Sequence, residues 1–271
     1  MRLIIGFVLA LLVGVAHAQD GKRPLIDTHI HYSEDAWSLT PPAQAVQILR
    51  QAGLEKAFVS SSSDDGTQML LKEAPDLIVP VLRPYRKRAE ISTWVRDESV
   101  IGHVESRLAR NTYAGIGEFH VFGADADLPV MRRMTALAAQ YGLFLHAHSD
   151  SDAVNRIFAQ DPKARVLWAH SGFADPTTIR GMLERYQNLW CDLAFRNEHA
   201  SGGQVPPEWR KLFTDFPDRF MVGTDTFTPE RWHYIFEHAE FSRKFLADLP
   251  PALAEKIGRG NAKAMLGKVA Q

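Results

Sequence analysis

Short apolar runs alternate with amphipathic stretches along most of the chain. The runs cover residues 24–29, 56–60, 77–82, 113–119, 143–148, 164–170, 189–195 and 219–224. Each is rich in leucine, β-branched or aromatic residues and has the length of a strand buried on both faces. The stretches between them have helical periodicity. Thr40 is placed to cap a helix that begins at Pro41-Pro42, carries Ala45, Val46, Ile48 and Leu49 on one face, and stops at Gly53. Proline in the first turn and glycine just past the end is the expected asymmetry. Residues 130–141 end at Gly142, residues 152–160 and 177–186 follow the fifth and sixth runs, 207–215 follows the seventh, and 229–249 forms a long eighth helix. This alternation, eight times over, predicts a single (β/α)8 TIM barrel, an α/β fold in one domain. The competing doubly wound sheet would place a glycine-rich turn after its first strand, where this chain has Asp27-Thr28-His29-Ile30-His31.

The beginning of the chain follows another rule. Arg2 gives a short positive start, residues 3–15 are almost wholly apolar, and Ala16-His17-Ala18 has the small-x-small form of a cleavage site. This predicts a secretory signal peptide over residues 1–18, with the barrel domain over 19–271. A membrane anchor is the alternative, but the apolar run falls short of the ~20 residues a span needs. The expected product is exported, to the periplasm if the source is Gram-negative, with no stable membrane anchor left.

Composition narrows the partners. With 31 Lys+Arg against 32 Asp+Glu, the 271-residue chain has a formal charge of −1, without the basic excess of a nucleic-acid binder. Cys191 is the single cysteine, so no internal disulfide staples the fold. The expected partner is a small-molecule substrate. Eleven histidines are left to explain.

In a barrel of this kind chemistry collects where the strands end at their C-terminal side. The first run ends in His29-Ile30-His31, the fourth in Glu118-Phe119-His120, the fifth in His146-Ala147-His148, the sixth in His170 and the eighth in Asp225. Side chains alternate along a strand, so His29 faces the same way as His31, His146 the same way as His148, and Glu118 the same way as His120. Two imidazoles at i, i+2 on an inward face can reach one ion, and a neighbouring carboxylate can complete its shell. Nitrogen and oxygen donors without thiolate suit Zn²⁺ or another borderline divalent metal. Arg83 and Arg196 end the third and seventh runs, where an arginine can hold a substrate carboxylate or pair with Glu118 or Asp225. His120 is open between substrate contact and a structural role. Cys191 reads as a small core residue, and His103, His199, His233 and His238 as surface or helix residues. Trp94, Trp209 and Trp232 read as packing residues, with Trp232 a candidate for the mouth.

These residues, in this order, resemble the amidohydrolase superfamily, in its amidohydrolase-related branch. The matching segments are Asp27 to His31, Gly115-Ile116-Gly117-Glu118, the fifth-run histidines, Trp168-Ala169-His170-Ser171-Gly172, Gly223-Thr224-Asp225, and the tail Ile257-Gly258-Arg259-Gly260-Asn261-Ala262. The resemblance implies that His29, His31 and Asp225 bind a first divalent metal. It implies that His146 or His148, together with His170, binds a second metal or orients substrate. Many relatives bridge two metals with a carboxylated lysine, and Glu118 stands at that place here, leaving one or two ions open. The implied activity is hydrolysis of an amide, lactone or other ester by metal-activated water. Asp225 would be the general base, with His170 or Arg83 stabilising the oxyanion. Non-oxidative decarboxylation of an aromatic acid, within the same superfamily, is the enzymatic alternative. An exported protein that binds metal or solute without turnover is the non-enzymatic one. N-terminal sequencing of exported protein should begin at or near Gln19, and an intact Met1 on detergent-extracted protein would favour the anchor instead.

Overall fold

Apolar strands without an exposed face must be covered on both sides, and a closed parallel barrel wrapped in helices does this. A computed structural model describes residues 22–269. Its strands are β1 (Leu25–Ile30), β2 (Leu54–Val59), β3 (Ile78–Leu82), β4 (Gly115–His120), β5 (Phe144–His148), β6 (Val166–Trp168), β7 (Leu189–Asp192) and β8 (Phe220–Met221). They are parallel and adjacent in sequence order. β8 returns to β1 through the Ile30–Thr226 bridge, and Thr28, His31 and Asp225 donate their N–H groups across this seam to Val222, Thr226 and His29. The expected leader lies outside the described residues. Among the described residues no helix is long and apolar enough to cross a membrane.

A helix follows every strand. The predicted ones appear as Pro42–Gln51, Pro129–Tyr141, Ser151–Gln160, Pro176–Arg185 and Pro207–Asp215. Gly142 ends its helix in the left-handed conformation, at φ 65°. Two further helices, Asp65–Glu73 and Ser99–Leu108, fill long gaps where the periodicity had given no element. Other expectations need correction. Thr40 does not cap: its hydroxyl has no hydrogen-bond partner, and its carbonyl accepts from the Tyr32 hydroxyl. The long eighth helix is a one-turn 3-10 segment, Glu230–Trp232, followed by Ile235–Ala247. The last three strands are shorter than their apolar runs because the chain turns into the site before the apolar residues end. Trp232 is buried against Tyr32, with ring centroids 5.4 Å apart, and does not line the mouth.

Two cores result. One lies between the sheet and its helices. The other fills the barrel, where Ile26, Phe58, Phe144, Leu167, Trp190 and Met221 meet Ala262 and Met265 of the closing helix Asn261–Val269. That helix shuts the lower end: the Asn261 amide donates to the carbonyls of Pro217 and Phe220. The polar rim therefore sits on a packed apolar plug.

Strict alternation from Ile26 would turn His29 and His31 away from the interior. The pairing of β1 with β2 is irregular between Asp27 and Ile30, and this slip brings both histidines inward. β4 has a similar irregularity between Gly117 and Phe119 beside β5, which turns Glu118 in. Glycine is required there: Gly117 has φ +136°, and a Cβ on it would lie 2.2 Å from the His146 carbonyl oxygen. Gly117→Ala should destabilise the fold by about 2–5 kcal/mol through backbone strain and overpacking. A fall in the urea midpoint is the check, and an unchanged midpoint would mean that β4 reaches Glu118 without needing glycine.

Candidate active site

The site is built in two tiers on the apolar plug. The lower tier centres on Asp192, at the end of β7 and fully buried. One of its oxygens meets His29 Nδ1 at 3.2 Å and His146 Nε2 at 3.0 Å. The other accepts from the backbone N–H groups of His170, at 2.9 Å, and Ala194, at 3.0 Å. Four donors from β1, β5 and the β6 and β7 termini thus converge on one carboxylate.

The upper tier follows from those orientations. With Nδ1 on Asp192, His29 presents Nε2 to the barrel axis. His31 has Nδ1 at 2.6 Å from the Ser60 carbonyl oxygen, and His170 has Nδ1 at 2.9 Å from that of Ala194. Each Nδ1 therefore donates, which leaves Nε2 of the neutral ring as the acceptor or ligand atom. The Nε2 atoms of His29 and His31 stand 3.2 Å apart. At that distance two neutral rings with facing lone pairs need a proton or a metal cation between them. Asp225 Oδ1 lies 3.5 Å and 3.4 Å from them. Glu118 places Oε1 3.4 Å from His29 Nε2 and 3.6 Å from His170 Nε2, and Oε2 3.3 Å from His31 Nε2. The sets His29–His31–Asp225 and His29–Glu118–His170 have the spacing of metal ligands. Fixing the ring through its other nitrogen is the usual second support of a metal-bound histidine. Donor chemistry and geometry both fit a divalent ion.

Backbone clamps hold the tiers. His170 and Asp225 have left-handed backbones, at φ 55° and 49°, which non-glycine residues adopt at a cost. Arg196 donates to the carbonyls of His170 and Ala174. Arg231 donates to those of Thr224, at 2.6 Å, and Asp225, at 2.7 Å. Asp27 accepts from the N–H groups of His29 and Thr224 and from the Thr224 hydroxyl, tying β1 to the β8 end. Burial pushes the Asp27 carboxyl up to about 6.

Burial penalises every charge here, yet the carboxylates win. For His29 it opposes the cation, but Asp192, Asp225 and Glu118 outweigh it and raise the imidazole well above its ordinary value. Burial would also raise Asp225, but His29 and His31 hold it at about 2. Glu118 is likewise held well below the carboxylate range: His120 and His29 overcome its burial. His146 goes the other way, down to about 4, from burial and the neighbouring His29. The acids around His29 are thus ionised at neutral pH, and the cluster attracts cations.

The predicted residues separate by depth. His29, His31, Glu118, His170 and Asp225 converge. His146 is deeper, turned onto Asp192. His148 sits at the rim, with Nδ1 2.8 Å from Glu118 Oε1. His120 stacks on His148, centroids 4.0 Å apart, and is held by the Tyr85 hydroxyl. Arg83 is engaged twice by Glu118, through the carboxylate at 2.7 Å and the backbone carbonyl at 3.1 Å, so it pairs with the site acid. Arg196 holds backbone carbonyls rather than pointing a free guanidinium at the cavity. Cys191 is buried, and burial pushes its thiol up. His199, read as a surface residue, is instead 1% exposed.

Asp192, Ser60, Tyr85 and Arg231 were missed. Asp192 was within reach, because it continues the inward alternation from Trp190 and is an acid in a buried strand. The other three act from loops or through hydroxyl groups, which no short spacing marks. Above the cluster opens a cavity of about 330 Å³ walled by Phe173, Phe195, Phe227, Ile91 and Arg88.

No curated protein matches the chain. Among solved structures, an uncharacterised TIM-barrel protein from Bordetella bronchiseptica aligns over 92% of this chain and 100% of its own, with TM-score 0.61 and 16% identity. A protein assigned as a 2-pyrone-4,6-dicarboxylic acid hydrolase from Pseudomonas putida aligns over 90% and 97%, with TM-score 0.57 and 14% identity. A β-aspartyl dipeptidase from Fervidobacterium islandicum AW-1 aligns over 89% and 72%, with TM-score 0.55 and 15% identity. At these identities the likeness is one of fold. The family profile described as amidohydrolase matches residues 79–268, and the chain belongs to the amidohydrolase family.

Proposed function

We propose that this protein is an exported metal-dependent hydrolase that cleaves an amide, lactone or other ester of a small molecule. The observation that carries this reading is the convergence of three ring nitrogens, each with its partner nitrogen tied to an acceptor, on Glu118 and Asp225 beneath an aromatic-walled cavity. His29, His31, Asp225, Glu118 and His170 would hold one or two divalent ions, with Zn²⁺ the best match to the donors. A bound ion supplies Lewis acidity and lowers the pKa of water toward ~7. Asp225, ionised across the neutral range, is in the state that accepts a proton from the attacking water and passes it to the leaving group. His170 remains oriented by Ala194 and Asp192 while it faces the reacting centre. Arg83 acts by holding Glu118 in place, and His148 and His120 form the polar edge of the cavity. Phe173, Phe195 and Phe227 suit a substrate with an apolar body.

Decarboxylation of an aromatic acid is less favoured, because it calls for an arginine free to hold the departing carboxylate, whereas Arg83 is committed to Glu118 and Arg88, in the cavity wall, is paired with Asp35. Product analysis distinguishes the two: CO₂ is released in one case and an acid by cleavage or ring opening in the other. A panel of esters, lactones and amides, assayed on metal-analysed protein, tests the hydrolytic reading directly.

Purified protein should carry one or two divalent ions per chain. His29→Ala combined with His31→Ala should lose them while circular dichroism still reports a folded barrel. Stoichiometric metal kept by that double variant would place the site elsewhere.

Asp225→Asn keeps shape and an oxygen donor but loses charge and basicity. Metal content should fall modestly and kcat by about 10²–10⁴-fold, the usual worth of positioned acid–base catalysis. Near-normal kcat in metal-loaded Asp225→Asn would remove this residue from the mechanism and move the base to His170 or Glu118.

A further inference from the structure

Behind the ends of β7 and β8, on the far side of Phe195 from the metal cluster, lies a second cavity of about 360 Å³. It is roofed by the helix Ile235–Ala247 and shares only Phe195 with the cavity over the cluster. Its floor and one wall are apolar, made by Leu193, Val222, Phe241 and Phe245. Its polar groups are unusual. His199 is 1% exposed, yet neither ring nitrogen has a hydrogen-bond partner among the described residues. The ring is caged edge-on by Phe245, Phe241 and Trp209, at centroid distances of 4.7, 5.7 and 6.0 Å. A buried imidazole with both nitrogens unsatisfied is costly. Here the ring is part of a cavity's lining. His238, in the same wall, also has a buried Nδ1 without a partner.

Arg231 is the second anomaly. It is half-buried and has no carboxylate within 4 Å among the described residues. Its Nε and Nη2 donate to backbone carbonyls, and its face lies on Phe195 and Phe227. Burial pulls its pKa down from the ordinary value. Arg196, in the same wall, spends its charge on backbone carbonyls and a loose 3.4 Å contact to the exposed Glu198. The acid in the wall, Glu237, is exposed. One buried and one half-buried guanidinium group and two under-bonded imidazoles around an apolar floor make an anion the complementary guest.

We propose that this chamber is a second binding site, separate from the metal cluster, for a small carboxylate with an apolar body. The carboxylate would lie between Arg231, His199 and His238, and the apolar body against Phe241, Phe245 and Val222. His199 enters this role as a neutral imidazole, since burial and then Arg196 bring it down to about 3, so it offers one N–H donor. The same two arginines hold the carbonyls of His170 and Asp225, so an occupant of the chamber touches the groups that present those residues to the metal site.

Benzoate is a suitable probe, because it has the required carboxylate and flat apolar body. In the full-length protein, the His199 ring ¹⁵N resonances, assigned by their loss in His199→Phe, should shift saturably as benzoate is added. Calorimetry should show the same binding in the His29→Ala/His31→Ala variant, which separates this site from the metal cluster. Ser242→Phe fills the chamber from the helix side, and both it and His199→Phe should weaken binding by about tenfold or more, as expected for loss of a charge-assisted contact or of the space itself. Cyclohexylmethanol, of similar bulk but uncharged, should not compete. Either of two results overturns the proposal: His199 resonances that stay fixed at benzoate concentrations saturating the protein elsewhere, or affinity unchanged in both filling variants. Loss of metal binding would leave this test intact, and failure of this test would leave the metal site intact.

Discussion

The carboxylate of Asp192 is the interaction on which the rest of the site depends. A fully buried anion survives only where donors surround it, and here they come from three sides: two imidazoles and two backbone amides. Their attraction, led by His29, overcomes the burial penalty and holds the group far below the carboxylate range. One set of contacts therefore decides three things. It fixes the tautomer of His29 and so aims Nε2 at the axis. It anchors the amide of His170 as the chain enters its left-handed turn. It also draws His146 down and away from the rim, leaving the upper position to His148.

Strain above this anion is held by arginines and not relaxed. A left-handed non-glycine residue costs about 1–3 kcal/mol, and His170 and Asp225 are both in that state. Each is gripped by a guanidinium on its own carbonyl, and each N–H is taken up, that of His170 by the Asp192 carboxylate and that of Asp225 by the His29 carbonyl. Neither arginine needs to meet substrate to matter. The sequence can suggest that an arginine ending a strand holds an anion. It cannot tell a substrate carboxylate from a backbone carbonyl, because both are acceptors and the choice depends on which loop curls over the strand.

The same distinction explains how far the sequence could be read. The barrel was legible because a parallel strand buried on both faces has no polar positions to blur it, and eight such runs leave few folds. The converging residues were legible because i, i+2 pairs such as His29 and His31 are local and stay on one face despite the slip in β1. That slip itself was not legible: alternation counted from Ile26 gives the wrong face, and only the pairing with β2 shows the shift. The helices at Asp65–Glu73 and Ser99–Leu108 were hidden by serine, aspartate and glycine at their starts, which read equally well as loop. His199 was misplaced for a related reason. A histidine flanked by Glu198 and Ala200 in a polar loop has no local mark of burial; its cage comes from Trp209, Phe241 and Phe245, all distant in sequence.

The ordering of polarity through the barrel then accounts for where chemistry is possible. The lower interior is apolar and closed by Ala262 and Met265. The tier above it is charged but satisfied: His29 and His146 each turn one ring nitrogen to Asp192, whose other oxygen accepts from two backbone amides. Only in the upper tier do lone pairs and carboxylate oxygens face a space a ligand can enter, and there the apolar walls of Phe173, Phe195 and Phe227 lower the local dielectric around them. A charge developing on a substrate bound at that level would be stabilised by groups that need not reorient, because the tier below has already fixed their direction. The orientation of each rim residue therefore rests on the buried anion beneath it more than on that residue's own identity.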